Sequence, residues 1–191
     1  MTSLLLPALF VDGREFSIAE LSAARLDGDL VGVGTAYAPI GDLVDHRHRA
    51  AAIATDVPPG GIVVGRSAAW LHSGCGRLPL PLEIGVTGPA TRWRRPYRST
   101  RSMRIRPEHR EVVGIDGSSV VTLSPIATIL DLARVGDLAS DDTLIRAVAQ
   151  QRGVSPAEVF AALDGWSHLP GKRDALARLE ECFAPQPPLT R

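Results

Sequence analysis

Residues 118–136 read SSVVTLSPIATILDLARVG, and the pattern changes character at Ser124-Pro125. Before that point Val120, Val121, Thr122 and Leu123 form the β-branched, apolar run of a strand. After it Ile126, Ile129, Leu130 and Ala133 recur at helical spacing. Serine caps helices well and proline is favoured at the first helical position, so the boundary is sharp. A strand that feeds a helix across one residue predicts an α/β (mixed α+β) class, with a mixed sheet ahead of a helical C-terminal half.

Working outward, EVVGID (111–116) supplies another strand, IVVG (62–65) a buried one, and LEIGVTGP (82–89) and SMRIRP (102–107) two more candidates. RSAAWLHSG (66–74) reads as a short helix closed by Gly74. DLVDHRHRAAAIATDVPPGG (42–61) predicts a helix over Asp42 to Asp56, stopped by Pro58-Pro59-Gly60-Gly61. FSIAELSAARLDG (16–28) predicts a helix with Ser17 and Glu20 at capping-box spacing and Gly28 at its end. DLVGVGTAYAPIGD (29–42) predicts a small hairpin. Downstream, ASDDTLIRAVAQQRG (139–153), SPAEVFAALDGW (155–166) and PGKRDALARLEECF (170–183) complete the helices, and the proline-rich APQPPLTR (184–191) reads as a frayed tail.

The chain has 191 residues, 45% of them apolar, with 21 basic and 21 acidic side chains. That is a globular composition, too apolar for disorder, and no apolar stretch reaches the length of a membrane span. LLLPALFV (4–11) is interrupted by Pro7 and lacks the basic flank of a secretory signal. Cys75 and Cys182 make neither a disulfide framework nor a metal set, so the expectation is a reduced, cytoplasmic protein with no membrane association.

Charge is distributed unevenly. TRWRRPYRSTRSMRIRPEHR (91–110) holds eight arginines and a single acid. Arg92, Arg94, Arg95, Arg98, Arg101, Arg104 and Arg106, with Trp93 and Tyr97 among them, have the makeup of a surface that tracks phosphates and stacks on bases. In SMRIRP, Arg104 and Arg106 share one strand face, Met103 and Ile105 the other. The same density also fits an exposed loop and edge strand protected from aggregation by charge. Twenty of the 21 basic residues are arginine, so the choice of arginine over lysine carries little information.

Other constellations point away from catalysis. His46 and His48, beside Asp45, are two apart on a helix and diverge, and no further His or Cys completes a metal shell. Ser67 and His72, near Cys75, lie about 140° apart around a helix, and no Gly-x-Ser-x-Gly elbow precedes the serine. Asp131 reads as a structural hydrogen-bond partner, and no glycine loop has the spacing of a phosphate cradle. The expectation is a non-enzyme with no cofactor and no metal.

Three segments carry a resemblance. ELSAARLDGDLVGVGTAYAP (20–39) resembles the helix-plus-wing segment of the AbiEi-type antitoxins of type IV toxin–antitoxin (abortive infection) systems. VVGRSAAWLHSG (63–74) is similar to that family's strand and S-A-A-x-L-H helix, through Ser67, Ala68, Ala69, Leu71 and His72. VTLSPIATILDLAR (121–134) is similar to its T-S-P-x-x-T-L-L-D-L-A segment, through Thr122, Ser124, Pro125, Thr128, Leu130, Asp131, Leu132 and Ala133. The resemblance implies a shortened winged-helix-like unit over 1–42, an antitoxin α/β domain over 43–184 and a flexible tail over 185–191. It implies a cytoplasmic bacterial regulator that binds DNA at its own promoter region and counteracts a nucleotidyltransferase toxin, with no direct contact required. The chain departs from the family at the wing, where Gly32, Gly34 and Thr35 replace arginines, and at Ala127. Charge placement therefore makes 92–106 the better candidate for nucleic acid. The alternative is a protein–protein module of the same fold that has lost DNA binding.

Overall fold

The computed structural model describes residues 9–11, 16–86, 101–102, 105–135, 139–166 and 170–184. The change of period at Ser124 is where strand β7 (Ser118–Leu123) gives way to helix α4 (Pro125–Val135). Ser124 Oγ accepts the Ala127 N–H at 3.3 Å, and Ser124 O accepts the Thr128 N–H at 2.8 Å, so the predicted cap forms. The predicted single apolar face is too narrow a description. Ala127 through Ala133 are buried without exception, because α4 runs through the middle of the helical half. Its two polar members stay satisfied: Thr128 Oγ1 donates to Leu123 O at 3.4 Å, and Asp131 pairs with Arg134 at 3.0 Å.

Except at 102–107, where the predicted strand is reduced to Arg101–Ser102, Ile105 and Arg106 belong to no strand and Pro107–His109 form a 3-10 turn, the remaining elements follow the sequence closely. They are α1 (Ile18–Asp27), β1 (Leu30–Val33), β2 (Ala36–Pro39), α2 (His46–Ala52), β3 (Gly61–Val63), α3 (Gly65–Ser73), β4 (Ile84–Val86), β5 (Arg101–Ser102) and β6 (Arg110–Ile115), then α5 (Ala139–Arg152), α6 (Pro156–Gly165) and α7 (Lys172–Phe183). β1 and β2 form their own two-stranded sheet, and the second sheet has the order β5-β4-β3-β7-β6. β3 runs parallel to β7 and antiparallel to β4. β6 and β7 are joined by the two-residue turn Asp116-Gly117, both with positive φ, as the tightest hairpins require.

Both faces of this sheet are covered, which explains why the β3 region reads as continuous apolar sequence. Val63, Ile84, Val113 and Val120 pack with Ala50, Ile53, Ala68 and Trp70. Ile62 and Val64, pointing the other way by strand alternation, pack with Ile105, Leu123 and Ala127. A third core joins α3 to α4, α5, α6 and α7 through Ala69, Ile129, Leu130, Ile145, Val159 and Leu179. None of the helices among the described residues is long and apolar enough to cross a membrane.

At the N-terminal end, Ser17 and Glu20 form the predicted capping box of α1, and Gly28 closes it with a left-handed φ of 86°. The hairpin pairs Leu30 with Pro39 and Val33 with Ala36. Phe10 bridges to Tyr37, adding a third edge. The hairpin turn is tied to α2: Thr35 Oγ1 donates to Ala52 O at 2.6 Å, satisfying a carbonyl at the helix end. Gly34, at φ 59°, lies so close to Trp70 that a Cβ would stand 3.0 Å from Cη2. Helix α2 is shorter than predicted. It begins after Asp45, whose Oδ1 accepts the Arg47 and His48 N–H groups at 2.8 and 3.1 Å, whereas the Asp42 N–H is used in the turn leaving the hairpin. Beyond Ala52 only a 3-10 turn, Ala54–Asp56, continues it.

Candidate functional site

Most of the predicted nucleic-acid residues, namely Arg92, Trp93, Arg94, Arg95, Tyr97, Arg98 and Arg104, lie outside the described residues. Both flanks of the segment are placed. Val86 ends β4, and Arg101, as main chain, opens β5 beside it in parallel register, Gly85 opposite Arg101. The segment is thus anchored at both ends in the outermost strands on one side of the sheet. At its far end Ile105 is 8% exposed in the core with Ile62 and Val64, while the Arg106 side chain is 73% exposed. Among the described residues, the Arg106 side chain pairs only with Glu108, at 3.7 Å, and Glu108 is itself exposed. An exposed pair of that length contributes little, so the Arg106 charge stays available to solvent.

The segments that carry the family resemblance come into direct contact. Thr122 Oγ1 donates to Val63 O at 3.2 Å. His72 Nε2 stands 2.8 Å from Leu123 O, and a carbonyl can only accept, so Nε2 carries the proton. Nδ1 is then a lone pair, and Arg152 Nη1 faces it at 3.4 Å. Arg152 Nη2 also donates to Glu111 Oε1 at 3.2 Å. Burial pushes the His72 imidazole down to about 4, assisted by the nearby Arg152, against the opposing pull of the Leu123 carbonyl. His72 is a neutral pin between α3, β7 and α5. Ser67, also buried, accepts the Glu83 N–H at 2.9 Å, and Glu83 in return accepts the Arg66 N–H at the start of α3. The S-A-A-x-L-H and T-x-S-P residues hold the scaffold together; they do not converge on a solvent-facing site.

His48 closes a capping box, its Nδ1 facing the Asp45 N–H at 3.4 Å while Asp45 Oδ1 accepts the His48 N–H; against the opposing effect of burial, the ring, 2.7 Å from Oδ1, and the backbone N–H groups hold the Asp45 carboxyl down to about 2. No group of three or more His, Cys, Asp or Glu side chains able to hold a metal occurs among the described residues. Two further ion pairs were invisible to sequence reading. Arg66 clamps the fully buried Asp141 through Nε at 2.6 Å and Nη2 at 3.1 Å, and Arg178 Nε meets Asp142 at 2.6 Å. Adjacent acids in the first turn of α5 therefore fasten α3 and α7 to it.

A separate concavity lies elsewhere. A cleft of about 590 Å³ opens between α1, the hairpin and the segment after α3. Arg25 enters it from α1, Arg49 from α2 and Arg77 from the segment after α3, with Tyr37 and the edge of Trp70 among the apolar lining. Among the described residues that line it there is no Asp or Glu. Arg49 is held by neutral groups, the carbonyls of Leu71, Val44 and His72 at 2.8, 3.2 and 3.2 Å. No protein-family model matches this chain, and a search of curated proteins returns no match.

Proposed function

We propose that the chain is a non-enzymatic, cytoplasmic DNA-binding regulator of the AbiEi antitoxin type, which counteracts a nucleotidyltransferase toxin without needing to touch it. The observation that carries the reading is the inward Ile105 beside the outward, weakly engaged Arg106. Within 92–106, Arg101 and Ser102 form the edge strand β5 beside β4, and Arg106 follows with its side chain turned to solvent. The hairpin takes no part in this. Its turn carries Gly34 and Thr35, and Thr35 bonds to α2. The succession of helix, hairpin and bridging third edge supports reading 1–42 as a shortened winged-helix-like unit.

The test is a fluorescence-anisotropy titration of the promoter fragment against salt. Replacing Arg94, Arg95 and Arg98 by Ala should weaken binding and flatten the salt slope by about 0.9 for each phosphate contact removed. An unchanged slope removes these residues from the interface.

A second reading, a protein–protein module, is favoured by one observation. Leu26 and Leu43 are each 88% exposed, and both flank the hairpin, as does the exposed Ile40. Under that reading Leu26→Glu abolishes co-purification with the cognate toxin while promoter DNA is not retained even at low salt.

A further inference from the structure

We infer that the cleft between α1, the hairpin and the segment after α3 is a binding site for a mononucleotide. The inference is independent of the DNA-binding reading, since it uses none of the residues 92–106.

The argument begins with charge. Among the described residues, the three charged side chains that line the cleft are all arginines. In a chain with as many acids as bases, a guanidinium on a cleft wall ordinarily finds a carboxylate. The Arg25 and Arg77 side chains are exposed and make no ion pair or hydrogen bond among the described residues. They come from separate elements, and an anion between them could bond both.

Arg49 adds a fixed charge. Its three partners are carbonyls, which orient the guanidinium but do not neutralise it. Asp45 is the acid whose charge acts on Arg49, and its Oδ1 is already shared among the Arg47 and His48 N–H groups and the His48 ring. Arg25, Arg49 and Arg77 line the same cleft, and phosphate suits guanidinium forks especially well.

The volume and the walls specify the rest of the ligand. About 590 Å³ is far more than a lone phosphate needs and lies within the range of small-molecule sites. Ile18, Val31, Val44, Leu78 and Leu80 supply an apolar wall, and Tyr37 an aromatic one with a hydroxyl. A phosphate head with a flat, partly apolar body meets both requirements. Gly32 and Gly76 leave open space on the lining, since a Cβ at either would meet nothing within 4 Å.

The test is isothermal titration of the full-length protein with AMP, ADP, GTP and dTTP, with inorganic phosphate as a separate arm. At least one nucleotide is expected to saturate the protein at submillimolar concentration and to bind at least about tenfold more tightly than phosphate alone. Arg25→Ala combined with Arg77→Ala should weaken it by about tenfold or more, because both guanidiniums are lost. These side chains are exposed and unpartnered, so the fold survives, as circular dichroism would verify. Arg106→Ala should leave nucleotide binding unchanged, and the Arg25/Arg77 variant should leave promoter binding unchanged, so the two proposals fail separately. Three results overturn the inference: no saturation by any nucleotide up to about 5 mM, wild-type affinity in the double variant, or phosphate binding as tightly as the nucleotides.

Discussion

Acidification isolates the contribution of His72. The folded imidazole titrates at about 4 because burial disfavours its charged form, whereas in the unfolded chain it titrates near the ordinary value of about 6.5. Above the unfolded value neither state binds the proton, and the stabilisation is fully present. As pH falls through 6.5 toward 4, the unfolded state takes up the proton first, and stability is lost. The separation between the two values sets a ceiling of about 3.4 kcal/mol, of which about 2.5 kcal/mol is lost between pH 7.5 and pH 4.5. Carboxylates titrate over the same range, so the measurement is a difference. Wild type and His72→Gln are unfolded in urea at both pH values. Glutamine can direct an amide N–H to Leu123 O and does not titrate. The wild type should lose about 2.5 kcal/mol more than the variant on acidification. Losses that agree within about 0.5 kcal/mol would refute the reasoning. So would an NMR titration of the wild type in which every imidazole titrates above about pH 5.5.

Three other substitutions probe the scaffold. Arg66→Met strands the buried Asp141 carboxylate and should cost about 3 kcal/mol or more, with partial recovery when Asp141→Asn is added, read from urea midpoints. Gly34→Ala forces a left-handed φ on alanine and presses a methyl group against Trp70; thermal unfolding should show a loss of about 1–2 kcal/mol. Ser155→Ala removes the α6 capping box and should cost about 1 kcal/mol in urea unfolding at neutral pH.

The helix ends were legible because their signals are local. Ser17 with Glu20, Ser155 with Glu158, and Ser124 before Pro125 each place the cap within three residues of its target. The start of α2 was misread because Asp42 and Asp45 are chemically alike, and only the turn after the hairpin decides which one caps. The central position of α4 was hidden by Thr128 and Asp131, whose polarity suggests an outer face. Glu83, which covers the start of α3, and Asp141, which holds Arg66, lie 17 and 75 residues from their partners, beyond any periodicity. The arginines of the cleft illustrate the same difficulty. Arg25, Arg49 and Arg77 are scattered through a chain that has twenty arginines. A sequence displays density, as in 92–106, more readily than convergence.

The sheet order also bears on how the chain assembles as it is made. β3 meets β4 after about twenty residues, but its parallel neighbour β7 lies 59 residues downstream, at the Thr122–Val63 contact. At translation rates of about 5–20 residues per second that interval lasts several seconds. Until then Ile62 and Val64 on the nascent chain have no Leu123 or Ala127 to cover them, and that face of β3 waits on the second half of the chain for its cover.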